Sequence, residues 1–444
     1  MTNPQATFLL GLKIATEASY GVAPGASAWY QGGRWHDIVT TDRPTLMDQQ
    51  AIIFPPGHAG RRSMNQQAPV QGRKWSDGDF SANVTADFVG LLLHAAMGGL
   101  SSDTVPSTDH ELLVDEPLTS GEKQLVLAQQ PSDGGALLGI LITGTSEGGT
   151  ISVSGIDAEG NGASENITFA SAGSFFTRNS FSAIGASSLT INANSEDIGS
   201  ATVYGYKYFK HTFSASDQNP TYSIERVGDP AAGDAASRSF MHGGMVLQSI
   251  TFNTPAATRD GVFSVDSTWE GRETAACDAT TIQHASTLRI WPAWSLSISR
   301  DNVSWHKAKN QTFTINAGNR NYRTAAGVQG PQGAFHGGRE LTGSNEVLLE
   351  DETEFNRWRG ASRLSQVFYW VSPWALTSNQ NQALTASFLG SYTENVDGSD
   401  SDGEQTLSMD YRNTADAEAD LGKFTLIGPT PRSAYGASMS LSQA

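Results

Sequence analysis

Between Met245 and Arg272 polar and apolar residues alternate with a period of two, which marks strands that commit one face to a core. Phe263, Val265, Ser267 and Trp269 share one side, and Ser264, Asp266, Thr268 and Glu270 share the other. Val246, Gln248 and Ile250 carry the same period in the preceding arm, and Asp260-Gly261 supplies turn chemistry, so the pattern predicts a long antiparallel hairpin. It recurs further on. Trp294, Leu296 and Ile298 alternate with Ser295, Ser297 and Ser299, a turn falls at Asp301-Asn302, and Phe313 and Ile315 alternate with Thr312, Thr314 and Asn316. The prediction is a broad sheet whose solvent face is smooth, hydroxyl-rich and mildly acidic. Such a face lacks the concavity and convergent polar groups of an enzyme pocket, and suits a surface past which something slides.

Ahead of the hairpin, residues 55–78 read as a long loop, with Pro55, Pro56, Gly57 and Gly60 followed by the basic pairs Arg61-Arg62 and Arg73-Lys74. In an acidic protein this basic concentration fits contact with an acidic neighbour, although a solvated loop accounts for it equally well. A strand is predicted over 80–85. A helix capped by Asp87 then runs to Met97, with Phe88, Leu91, Leu92, Ala95 and Ala96 on one stripe and Gly98-Gly99 as the stop. His94 inside it has no partner at ligand spacing and reads as structural. Residues 100–118 read as a polar linker. Seven short strands follow, at 124–128, 137–143, 150–156, 165–169, 175–181, 188–193 and 201–206, enough for a small immunoglobulin-like sandwich. Asp157, Glu159 and Asn161 before Gly162 look like the start of a calcium loop but lack the distal glutamate, so turn chemistry is the better account. Beyond the hairpin a strand at 346–350 leads into a short helix capped at Asp351, and closing strands are predicted at 367–371, 384–388, 404–412 and 423–427. The acidic stretch 397–404 fits no recognised calcium-loop spacing and reads as a flexible tip.

Composition narrows the class. The 444 residues include 46 glycines, and long helical periodicity is scarce, as expected of an all-β chain with many turns. Acidic residues outnumber basic ones 45 to 28, a formal net charge of −17, which argues against gripping nucleic acid and permits a wall that repels it. Cys277 is the only cysteine, so no intrachain disulfide can form. The first residues lack the basic flank and sustained apolar core of a signal peptide, and no apolar run is long enough to span a bilayer; cytoplasmic synthesis is the expectation.

Two rival chemistries are weak. The histidines are scattered, with no HExxH and no GxSxG, and Asp266 with Glu270 is better read as surface charge than as a carboxylate pair; no catalytic, metal or cofactor residue is assigned. Ten tryptophans and the predicted sandwich admit an adhesin or carbohydrate-binding reading, but Trp291, Trp294, Trp305, Trp358, Trp370 and Trp374 lie in or beside apolar segments and are expected in the core or at subunit contacts.

Taken in order, Ala15 to Pro24, Gly60-Arg61-Arg62, Asp79 to Gly98, His211 to Phe213, Thr221 to Glu225, the hairpin 246–272, Thr312 to Asn316 and Leu341 to Phe355 resemble the major tail tube protein of long-tailed, siphovirus-type bacteriophages. The resemblance covers 1–112 and 207–428. It implies an all-β tail-tube sandwich or barrel with one or two short helices, in halves 1–112 and 207–444, interrupted at 113–206 by an inserted immunoglobulin-like β-sandwich on the outside. It further implies hexameric rings that join sheets edge to edge and stack into the virion tail, assembled in the host cytoplasm. The partners so implied are further copies, the tape measure, terminator and distal tail proteins, and DNA in transit without specific binding; no membrane and no cofactor are implied. The long loop bearing Arg61, Arg62, Arg73 and Lys74 would reach the next ring. Ser264, Asp266, Thr268 and Glu270, or Ser295, Ser297 and Ser299, would face the lumen.

Overall fold

A computed structural model describes residues 11–31, 33–42, 44–53, 70–131, 134–144, 148–194, 199–218, 220–227, 238–255, 261–278, 289–322, 329–335, 337–348, 350, 352–397, 406–413 and 422–436. In chain order the strands are β1 (Leu12–Thr16), β2 (Trp35–Ile38), β3 (Met47–Ile53), β4 (Val70–Asn83), β5 (Gly98–Pro117), β6 (Gly121–Gln124), β7 (Leu137–Thr143), β8 (Gly149–Asp157) and β9 (Gly162–Phe169). Next come β10 (Gly173–Phe176), β11 (Phe181–Ala193), β12 (Ser200–Ala215), β13 (Tyr222–Arg226), β14 (Arg238–Pro255), β15 (Ser264–Gly271), β16 (Thr274–Asp278), β17 (Leu296–Arg300) and β18 (Val303–Trp305). Last are β19 (Ala308–Asn316), β20 (Arg320–Tyr322), β21 (Gly333–Phe335), β22 (Glu340–Leu348), β23 (Leu364–Thr377), β24 (Gln380–Asp397), β25 (Thr406–Asn413) and β26 (Lys423–Gly428). Helix α1 (Ala86–Met97) follows β4, and α2 (Thr353–Arg359) follows β22. The fold is all-β with two helices.

The strands of the body form two facing layers. One runs β3-β4-β15-β14-β19-β22-β25 and ends on the last part of β24. The other runs β18-β17-β23-β24-β26-β12-β5, so β24 changes layer part-way along its length. Their inner faces meet in an aromatic core, where Phe313 stacks on Phe252 at 4.4 Å and reaches across to Phe368 (5.9 Å), Trp370 (5.7 Å) and Phe424 (6.1 Å). The first part of β14 leaves the first layer to pair with β13 and β16. Helix α1 packs against β14, β12 and β26 with every residue buried. Its cap is Thr85, whose hydroxyl accepts from the Phe88 amide, rather than the expected Asp87. Gly98 ends it at φ 78°, where a Cβ would be strained.

Residues 118–206, together with the last part of β5, supply a second pair of sheets. Strands β9-β8-β11-β6 face β10-β7-β12-β5 across a core in which Ile151, Val153, Ile167 and Ile191 cluster with Ile140, Ile142, Phe175 and Val203. All seven expected strands are present, the first displaced to Gly121–Gln124. The polar linker expected at 100–118 is instead strand: β5 runs unbroken from Gly98 to Pro117 and pairs with β12 along its length, so both cross the borders drawn at 112/113 and 206/207. Its acidic residues misled because a strand tolerates them on its outward side, while Leu112 and Leu113 are buried side by side where the pairing with β12 shifts register.

Two polar fasteners hold this part to the body. Arg178 forms a buried ion pair with Asp87 of α1 and lies over the rings of Trp29 (5.5 Å) and Tyr30 (5.6 Å). Burial works to raise the Asp87 carboxyl, but Arg178 and the Thr430 hydroxyl (2.6 Å) outweigh it and hold it below the usual carboxylate value. In the β8–β9 turn Asp157 Oδ1 accepts from the amides of Glu159 (3.0 Å) and Asn161 (2.7 Å), the turn chemistry expected, and Glu159 in turn accepts from the Ala375 amide at 2.7 Å.

Candidate functional site: the polar face of the first layer

The hairpin β14–β15 sits mid-layer, and its inward row is as expected: Phe263, Val265, Ser267 and Trp269 are buried. In β14 the phase shifts. A bulge between Leu247 and Ser249 buries both Val246 and Leu247 and turns Gln248 outward, where its amide donates to Glu270 at 3.0 Å. The expected row of Val246, Gln248 and Ile250 is therefore broken at its centre by one extra residue.

Pairing extends the outward row of β15 into a grid. One line across the strands reads Ser81, Asp266, Thr251, Thr314, Thr342, Arg412; the next reads Asn83, Ser264, Asn253, Thr312, Ser344, Asp410; a third reads Asp79, Thr268, Ser249, Asn316, Glu340. Asp77 lies opposite Glu270, and Asn310 opposite Glu346. Short neutral groups hold two of these carboxylates. Asp266 accepts from Ser81 Oγ at 2.5 Å and Asn253 Nδ2 at 2.6 Å, Glu346 accepts from Asn310 Nδ2 at 2.5 Å, and the hydroxyls of Thr251 and Thr314 bond at 2.8 Å. Glu340 is paired with a cation, Arg412, at 2.6 Å. For Asp266 and Glu346 these bonds from amides and a hydroxyl orient the carboxylate without neutralising it, which favours a negative field around them. Where β3 and β4 adjoin β15 the face dips into an open trough of about 620 Å³ bordered by Gln49, Trp75, Asp77, Asp79 and Glu270.

The serine row takes a different course. Ala293–Ser295 is a 3-10 turn after Pro292, and β17 begins only at Leu296, so the alternation read from Trp294 does not hold at its start. Trp294 is 73% exposed rather than in the core, and Ser295 is buried, its hydroxyl donating to the Pro292 carbonyl at 2.7 Å. Ser297 and Ser299 do point outward, but from the second layer, on the far side of the shared core from Asp266. Their face continues through Tyr369, Thr385, Thr425, Thr212 and Ser101. It carries Val367, Val371 and Ile427 beside Lys210, Lys423 and Asp103.

Of the basic residues, Arg61 and Arg62 lie outside the described residues, as do Asp351 and all of the acidic stretch 397–404 beyond its first residue. Arg73 and Lys74 are not in a loop: β4 starts at Val70, held by β3 on one side and by β15 on the other from Ser76 onward. Arg73 is exposed next to an irregularity in the β3–β4 pairing, and Lys74 sits 3.9 Å from Glu273. Sequence reasoning missed Asp77, Asp79, Glu340, Ser344 and Asp410 as members of the face. Inward Phe80 and Ala82 in β4, and Leu407, Met409 and Tyr411 in β25, are the period-2 signal that would have found them. His94 is structural, its Nδ1 3.3 Å from the Tyr222 hydroxyl inside the core. Among the described residues no cluster of His, Cys, Asp or Glu is arranged to hold a metal ion, and no helix is long and apolar enough to cross a membrane.

The family model described as phage tail tube protein matches residues 8–412. The chain belongs to that family. Membership identifies it as a structural component of the virion tail that assembles with itself and with other tail proteins. A search of curated proteins returns no match.

Proposed function

We propose that copies of this chain close into hexameric rings, that the rings stack into a siphovirus-type tail tube, and that the genome leaves through a lumen lined by the β4-β15-β14-β19-β22-β25 face. The observation that carries this reading is the grid around Asp266, which presents carboxylates and hydroxyls across adjacent strands with Arg412 as its paired cation. Duplex DNA carries a phosphate charge every ~1.7 Å along its axis, and a wall offering such groups gives it no resting place. Among the described residues the layer has two edges without a strand partner, β3 at one end and the last part of β24 at the other. Edges of this kind are normally guarded, and pairing β3 of one copy with β24 of the next would consume both.

Two outward faces compete for the lumen, and the second sandwich supports choosing between them. It grows from β5 and β12 of the other layer, and 113–206 has no room inside a ring. The Ser297 face therefore belongs outside, with residues 113–206 as an inserted domain on the tube exterior. Its pairing of β7 with β10, β8 with β11 and β8 with β9 supports an immunoglobulin-like assignment, with β12 pairing β7 and β6 pairing β11 in permuted chain order. The tape measure, terminator and distal tail proteins are the expected further partners, and the role is structural rather than catalytic. An adhesin role for the inserted domain is the second reading, favoured by its exposed Val114, Val126 and Ile156. Negative-stain imaging of concentrated protein tests the main proposal: hollow rings or tubes are expected, and monomers in every buffer, even with initiator proteins added, would overturn it.

A further inference from the structure

The last described segment, 429–436, is a short hook ending in a 3-10 turn (Arg432–Tyr435), and it touches both cores: Ala434 belongs to the cluster beneath the second sandwich and Tyr435 to that of the body. Two histidines hold it by its backbone. His36 Nε2 lies 3.1 Å from the Ala434 carbonyl and His211 Nε2 lies 2.7 Å from the Thr430 carbonyl. A carbonyl can only accept, so both rings carry their proton on Nε2 and, when neutral, leave Nδ1 bare. Tyr435 lies between them, parallel to His36 at 6.0 Å and edge-on to His211 at 5.2 Å. The same hook supplies Thr430 to Asp87, the carboxylate that Arg178 of the second sandwich grips.

We propose that the hook is an acid-releasable fastener: protonation of His36 and His211 frees 429–436 from its seat and loosens the second sandwich from the body before either unfolds. A second proton on each ring must sit on Nδ1. In His211 that atom faces the Ser102 hydroxyl at 2.7 Å, which would have to turn from donor to acceptor; in His36 it is buried and meets no acceptor. The surrounding charges are mixed. Asp87, Asp37 and Arg178 surround His36, while Arg432 and Asp103 face His211. His94 of α1 also feels Arg432 and His211. Burial is the largest influence on all three. It pushes His211 and His94 down to about 4, with Arg432 adding to the effect and, for His211, the Thr430 bond opposing it; His36 is lowered as well. Each folded value lies below that of a free histidine, about 6.5, so the open state binds more protons. The closed hook is thus fully favoured above that value and loses its advantage as pH falls toward 4. An open cavity of about 600 Å³ is bordered by His94, Arg432, Tyr435 and Gly436, so one side of the hook already adjoins solvent.

Hydrogen exchange on the full chain, corrected for the intrinsic pH dependence of exchange, tests this. Between pH 7 and 4.5 the amides of Thr430, of 432–436 and of the Arg178 turn should lose protection by about 50-fold from the titration of His211, and by more as His36 takes up its proton, while β14, β15 and β19 keep theirs. The His36→Gln/His211→Gln double variant, in which the amide can still donate to the carbonyl and does not titrate, should stay closed at pH 4.5. Unchanged protection of the wild-type hook across that range would overturn the proposal, as would equal opening in the double variant. If the variant does not fold, the wild-type profile still decides: loss of hook and body protection together means global acid unfolding and no fastener.

Discussion

The two outward faces of the body share a core, a strand geometry and a liking for hydroxyls, and differ in charge. On the first layer Asp77, Asp79, Asp266, Glu270, Glu346 and Asp410 stand among threonines, serines and asparagines. On the second the hydroxyl row Ser297, Thr385, Thr425 and Thr212 has valines, Tyr369 and two lysines for neighbours. Serine and threonine content therefore does not mark a conduit surface, since short polar side chains suit any solvated strand. What distinguishes the first face is that its acids are spaced along adjacent strands and that Asp266 and Glu346 are hydrogen-bonded to neutral groups, which fixes their direction without cancelling their charge.

That contrast can be broken at its foundation. Phe313→Ala removes the ring that touches both layers and should cost about 3–5 kcal/mol in denaturant unfolding, with both faces lost together. Separate transitions for the two layers would mean they are not one cooperative unit. The charge difference itself is tested by Asp79→Lys/Asp266→Lys/Glu270→Lys in assembled tubes. Retention of duplex DNA in sedimentation or fluorescence assays should rise at least about 100-fold at low salt and fall steeply as salt is added. The matched set Ser297→Lys/Ser299→Lys/Thr385→Lys should leave transit through the bore unchanged. Equal DNA retention inside the tube by both sets would erase the distinction.

Smaller changes sharpen it. Asp266→Asn keeps one acceptor for Ser81 or Asn253 and loses a charge-assisted bond, so unfolding should shift by about 1 kcal/mol or less, while the face becomes measurably less repulsive to DNA. Ser297→Ala, whose hydroxyl makes a long bond to the Tyr369 carbonyl at 3.2 Å on an exposed strand, should change stability by under about 0.5 kcal/mol. A loss larger than that of Asp266→Asn would show that the second face has a tighter role than its geometry suggests.

Much of this architecture is legible in alternation alone. The period-2 run from Phe263 to Glu270 announces strand, inward face and outward face at once, because nothing interrupts it. Where alternation is interrupted the sequence misleads. At Gln248 a single extra residue re-phases the strand, and at Trp294 a 3-10 turn precedes the first strand residue, so a serine expected in solvent is buried and a tryptophan expected in the core is exposed. Residues 70–78 and the 100–118 stretch looked like loop and linker because Gly, Pro, Asp and Glu are weak strand formers; pairing with β3 and β15, and with β12, overrides that preference. The grid could not be read at all, since which of several outward rows lie side by side depends on strand order, and strand order leaves no local trace. The Arg178–Asp87 pair, joining positions 91 apart in sequence, is hidden for the same reason.

The central claim is about direction: which face of the subunit looks into the bore. A cryo-electron microscopy reconstruction of assembled tubes, at a resolution that separates strands, measures it directly. The account predicts Asp266 and Glu270 projecting into the channel, with β3 of one copy beside β24 of its neighbour. A channel walled by Ser297, Tyr369 and Lys423, with the Asp266 row turned outward, would contradict it.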